Sequence, residues 1–137
     1  MSRDSGGGRS GAPILVVGAG PVGLASAIML ADRGLEVTVL ERRAALSEHP
    51  RARLVNARTM EILRRLGLEA AVRAAALPAA MMRSYFGTDL RDPEPRYVAL
   101  ANDAADLDLT PSPPCLCSQD RLEPILLEAA RERVPNL

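Results

Sequence analysis

The chain has 137 residues and a mass of 14.6 kDa, room for one domain of ordinary size. At 47% hydrophobic and 25% charged residues it reads as globular rather than disordered. Seventeen basic residues, all Arg, balance seventeen acidic ones, and aromatics make up only 2%, so both the basic face and the stacking platform of a nucleic-acid binder are missing.

Residues 1–13 are polar and glycine-rich where a signal peptide needs an apolar centre, and read as a flexible tail. The longest apolar stretch, residues 12–31, is broken by glycines and Pro21, which argues against a membrane span. Ile14-Leu15-Val16-Val17 is a short run of mostly β-branched residues, as expected of a buried strand. Gly18-Ala19-Gly20-Pro21-Val22-Gly23 follows directly. Residues 24–32 are apolar on nearly every side and predict a buried helix, stopped by Gly34. Val37-Thr38-Val39-Leu40 predicts a second strand ending at Glu41. Strand, helix and strand at this spacing make a βαβ unit and a parallel sheet.

Residues 42–53 show no period and read as a loop. Asn56 is placed to cap a helix running to Leu66, with Gly67 ending it. A short helix over 68–76 ends before Pro78. Residues 81–86 and 96–101 alternate weakly and predict an antiparallel excursion; 106–109 alternates too. Residues 110–114 form a Pro-rich connector. Asp120 and Glu123 match a capping box, and Leu122, Ile125, Leu126 and Ala129 or Ala130 form a helical stripe, with Pro124 tolerated near the first turn. Cys115 and Cys117 have neither a His nor a second Cys pair to complete a zinc set, so they read as reduced packing thiols in a reducing, cytoplasmic setting. His49, the single His, reads as a solvated loop residue, and Asp106 and Asp108 establish neither a metal cluster nor an acid pair.

The glycine motif carries the chemistry. Gly18 suits the tight turn, Gly20 a close approach of pyrophosphate to backbone, and Gly23 close packing of helix on strand. The helix start then offers N–H groups and a favourable dipole to phosphate. Glu41 lies close to the ~20-residue spacing at which a carboxylate meets the adenosine ribose hydroxyls, and it disfavours a 2′-phosphate. FAD and NAD present the same ADP group to such a motif, so the glycines alone leave both open.

Residues 13–41, PILVVGAGPVGLASAIMLADRGLEVTVLE, resemble the N-terminus of the FAD-dependent aromatic hydroxylases of the para-hydroxybenzoate hydroxylase type, nearest to those acting on aromatic polyketides. Pro50-Arg51-Ala52-Arg53 resembles the loop whose Arg lies along the FAD pyrophosphate, with Arg51 the better match. NARTMEILRRLG at 56–67 resembles the helix that follows. SQDRLEPILLEAA at 118–130 resembles the segment whose Gln, here Gln119, lies beside the ribityl chain and phosphate. Arg42 follows the ribose Glu and is a candidate to cover the adenine.

The resemblance implies an α/β fold, the N-terminal part of a Rossmann-like FAD-binding fold. It would consist of a βαβ parallel sheet with helices and a small antiparallel excursion over 14–137, incomplete because the family's third parallel strand begins where this chain ends. The implied cofactor-binding set is Gly18, Ala19, Gly20, Pro21, Val22, Gly23, Glu41, Arg42, Arg51 and Gln119, with no catalytic residue and no metal ligand. It also implies a monooxygenase that uses FAD, NAD(P)H and O2 on an aromatic substrate, with the substrate domain absent and the chain inactive alone. An NAD-binding dehydrogenase domain, or a non-catalytic piece needing a missing C-terminal half, are the other readings.

Overall fold

A computed structural model describes residues 12, 14–44, 52–78, 81, 83–89, 91–94, 96–99 and 109–137. Most of the expected tail lies outside these residues, as do His49, Arg51, Asp106 and Asp108.

The first unit is β1 (Ile14–Val17), α1 (Pro21–Ala31) and β2 (Val37–Leu40), with β1 and β2 parallel and Ile14 opposite Val37. Helix α1 starts earlier than the apolar pattern alone indicates. Pro21 takes its first position, where the fixed φ of proline is already helical and its missing N–H costs nothing. The glycine motif therefore spans the end of β1, the turn and the first turn of α1. Beside β2, Asn136 makes a parallel bridge to Thr38, and its carbonyl accepts from Val39 N–H at 2.9 Å.

Two short strands escaped the sequence reading. β3 (Leu54–Val55) pairs antiparallel with β6 (Cys115–Leu116). Between them come α2 (Ala57–Arg65), α3 (Glu69–Ala75), and the antiparallel pair β4 (Arg83–Phe86) and β5 (Arg96–Ala99). Asn56 caps α2 as expected, its Oδ1 accepting from Thr59 N–H at 2.8 Å. Gly67, at φ +76°, supplies the left-handed residue that ends it.

The last helix, α4 (Gln119–Arg133), packs along α1. The expected capping box is not formed. Ser118 occupies the N-cap position without a side-chain cap, which places Asp120 inside the first turn. Glu123 turns instead toward Gln119, whose Nε2 donates to its carboxylate.

The main core lies where α1, α2, α3 and α4 meet, around Leu24, Ile28, Met60, Leu63, Val72 and Leu126, all at most 2% exposed. Cys115 and Cys117 are buried there as free thiols, as expected, with Cys115 Sγ 3.5 Å from Met60 Sδ. A smaller cluster of Ala27, Val37, Val39 and Val134 joins the inner face of the parallel pair to the helices. The other face is open, with Leu15 56% and Val17 80% exposed.

A polar clamp seats the connector before β6. Arg73 donates to Glu69 (2.8 Å) and to the Pro113 carbonyl (2.7 Å). Ser112, fully buried, donates to Glu69 at 3.2 Å, and Thr110 donates to Glu61 at 2.9 Å. Satisfying these buried groups lets a stretch rich in prolines lie against α2 and α3 and fixes where α4 starts.

Candidate functional site

The parallel pair positions the site. At the carboxyl end of β1 the chain turns through Gly18, at φ +104°, a backbone conformation open to glycine and strained for other residues. Gly18 N–H reaches across to the Leu40 carbonyl at 2.7 Å, which holds the turn against the end of β2. Gly23 lies directly behind this turn. A Cβ there would be driven into the Gly18 carbonyl, with its carbon 3.0 Å away, and would touch Val16 Cγ1 at 3.5 Å. The close helix–strand packing assigned to Gly23 from the sequence is thus present. A Cβ on Gly20 would meet nothing within 4 Å. Its surroundings are open space at the head of α1.

Gly20 is the N-cap of α1; it has no side chain with which to cap the helix, and no acidic residue sits in the first turn. The first N–H groups of a helix lack intrahelical partners, and at this helix start Val22 is 80% exposed. The helix end therefore presents partial positive charge to whatever enters.

Glu41 closes the other side. Its Oε2 accepts from Ala19 N–H at 2.8 Å and its Oε1 from Arg43 N–H at 2.9 Å. The backbone bond from Arg43, then that from Ala19, holds the carboxyl below its ordinary value of 4.5. It is therefore ionised at neutral pH, and its remaining lone pairs can accept from hydroxyl groups. The cationic side chain brought to it is that of Arg43, Nε 3.7 Å from Oε1. Arg42 is exposed nearby.

Ala19, Gly20 and Glu41 line a cleft of about 450 Å3, walled opposite by Glu123, Leu127 and Arg131 of α4. At the helix start, Gln119 N–H donates to the Ala52 carbonyl at 3.0 Å. The β3–β6 pairing thus joins Gln119 to the loop that carries Arg51, although Arg51 itself lies outside the described residues. Sequence reasoning missed Arg43, Glu123, Leu127 and Arg131. Only Arg43 carried a usable signal, its adjacency to Glu41; the α4 residues share a face at four-residue spacing that reads equally well as ordinary helix surface.

The chain belongs to the FAD-binding domain family, whose model matches residues 11–136. It is 39% identical over 130 residues to a putative polyketide hydroxylase of Streptomyces halstedii, with 88% of this chain aligned to 22% of that protein. It is 41% identical over 127 residues to the aklavinone 12-hydroxylase RdmE of Streptomyces purpurascens, with 87% of this chain aligned to 23% of that one. Among solved structures, aklavinone-11 hydroxylase in a ternary complex with FAD and aklavinone matches at 40% identity and a TM-score of 0.69, over 88% of this chain and 24% of that one. The flavin-dependent monooxygenase PieE, in complex with FAD and substrate, matches at 35% identity and a TM-score of 0.74, over 88% and 22%. This chain therefore spans under a quarter of the length of these relatives. FAD is the cofactor of the family, and the N-terminal part of its fold is what the βαβ unit, helices and antiparallel pair reproduce. Among the described residues no helix is long and apolar enough to cross a membrane.

Proposed function

We propose that this chain is the FAD-binding segment, over 14–137, of a flavin-dependent monooxygenase that hydroxylates an aromatic, polyketide-type substrate with NAD(P)H and O2. One observation carries the reading: an uncapped helix N-terminus, an open Gly20 and an ionised Glu41 meet in one cleft. That donor and acceptor set fits FAD, with N–H groups suited to the pyrophosphate and a carboxylate suited to the ribose hydroxyls.

In this reading Gly18 and Gly23 shape the turn, and Gly20, Pro21 and Val22 form the phosphate cradle. Ala19 N–H holds Glu41 in place for the ribose. Arg51 lies along the pyrophosphate, Arg42 covers the adenine, and Gln119 meets the ribityl end. When bound, FAD supplies the redox chemistry, taking reducing equivalents from the nicotinamide and activating oxygen; the protein binds, orients and shields it. The proposed substrate class rests on the relatives named as polyketide and aklavinone hydroxylases. The chain alone holds the ADP and ribityl end and hydroxylates nothing. Its buried free thiols fit a reducing cytoplasm.

The test is calorimetric titration of the purified chain with FAD and with NAD. The reading expects FAD to bind, NAD to bind more weakly, and Gly20→Val to abolish FAD binding while circular dichroism stays unchanged. A folded chain that binds NAD and ignores FAD refutes it in favour of a dehydrogenase domain.

A further inference from the structure

Glu123 has no role so far. It is only 4% exposed, yet it lines the cleft on the wall opposite Gly20 and Glu41. Its Oε1 accepts from Gln119 Nε2 at 2.5 Å. Its Oε2 has no hydrogen-bond partner among the described residues. No fully buried side-chain oxygen of those residues is left unsatisfied, so Oε2 keeps some open surface, and the opening that Glu123 lines is the cleft. A carboxylate taken out of water is costly unless it is satisfied, and a leucine on this helix face would pack without that cost. One of its oxygens is thus left to accept from whatever enters the cleft.

The entering group must be a donor. A carboxylate offers only acceptors, so it mismatches phosphate, whose oxygens also accept and carry the same sign of charge. Glu41, on the facing wall, is already partly used, its Oε2 by Ala19 N–H and its Oε1 by Arg43 N–H. A ribose brings two vicinal hydroxyls, each able to donate once. We propose that Glu123 is a second ribose acceptor, its Oε2 taking one hydroxyl of the adenosine ribose while Glu41 takes the other. This rests on the reading above that Glu41 meets the ribose. The two walls together then select an unsubstituted ribose: removing either hydroxyl loses one bond, and a phosphate on either one sets like charge against a carboxylate.

The experiment is calorimetric titration of the full chain with ADP, 2′-deoxy-ADP and 3′-deoxy-ADP, for wild type, Glu123→Leu, Glu123→Gln and Glu41→Ala. Wild type is expected to bind each deoxy analogue about tenfold more weakly than ADP, the size of one hydrogen bond to a charged group. Glu123→Leu weakens ADP by about tenfold and leaves one analogue within about twofold of its wild-type affinity, so that the penalty for that analogue disappears while the other stays. Glu41→Ala gives the mirror image, removing the penalty for the other analogue.

Equal weakening of ADP and both analogues by Glu123→Leu makes Glu123 a support of the fold and overturns the inference. So does loss of both penalties in Glu41→Ala with neither lost in Glu123→Leu, which gives both hydroxyls to Glu41. Should circular dichroism show Glu123→Leu unfolded, Glu123→Gln decides: a neutral acceptor reduces one penalty by about threefold, and two unchanged penalties overturn the inference. Wild type binding all three ligands equally removes the ribose role of both carboxylates and leaves the phosphate cradle standing. Wild type binding none of them removes the proposed function and this inference with it.

Discussion

Gly23→Ala and Gly20→Ala add the same methyl group to neighbouring glycines, and the structure separates their consequences. At Gly23 the new carbon points at backbone, with the Gly18 carbonyl carbon 3.0 Å away and its oxygen closer still. No rotamer can relieve that clash, so α1 must shift from β1. Overpacking costs about 1–3 kcal/mol in general, and a backbone obstacle puts this case at the upper end. The opposing gain is about 1 kcal/mol, the advantage of Ala over Gly inside a helix. The net expectation is a loss of about 2 kcal/mol. Gly20 has φ −74° and nothing within 4 Å of its added Cβ, so Gly20→Ala leaves stability within about 0.5 kcal/mol of wild type, as an unobstructed surface change does. Urea unfolding followed by circular dichroism measures both, and FAD titration of the same samples shows whether Gly20→Ala weakens binding without weakening the fold. A Gly23→Ala chain as stable as wild type refutes the packing argument.

Acid should weaken the fold partly through Glu41. Its carboxyl lies below 4.5 in the folded chain, so its contribution is present above the unfolded value and is lost as pH falls from there through the folded value. Glu41→Gln is expected to flatten that part of the stability–pH curve, measured by urea midpoints at stepped pH. Arg73→Ala removes two hydrogen bonds to Glu69 and one to the Pro113 carbonyl; the side chain is partly solvated, so the expected cost is about 1 kcal/mol in the same unfolding assay. Burial raises both thiols, Cys117 to about 11 and Cys115 in the same direction. A disulfide reagent at pH 8 should react slowly with the native chain and rapidly in urea, and fast native labelling would contradict their burial.

The parts legible in the sequence are those whose cause is local. Two apolar four-residue runs gave β1 and β2, the glycines and Pro21 gave the turn between them, and Asn56 marked the start of α2 through one side-chain bond. β3 and β6 were illegible because two-residue strands have no period and their pairing joins residues 54–55 to 115–116, far apart in the sequence. The clamp on the connector was hidden for a related reason. Glu69 and Arg73 look like an ordinary solvated helix pair until Ser112 and Pro113 are folded against them. Glu123 fits a capping box by spacing, but with Ser118 at the N-cap position the carboxylate faces Gln119 and the cleft instead. Of the site, the glycine turn and Glu41 were readable as a pattern. The α4 wall was not, because which helix packs opposite β2 is decided by the fold.

The central claim, that the glycine turn and Glu41 form the adenosine diphosphate end of an FAD site, is tested most directly by amide chemical shifts of the isotope-labelled chain during FAD titration. The account expects the largest shifts at Gly18, Ala19, Gly20, Val22, Gly23 and Glu41, a subset reproduced by ADP, and changes at Gln119 that only FAD produces. Shifts centred elsewhere, or a folded chain whose spectrum ignores both ligands, would contradict it.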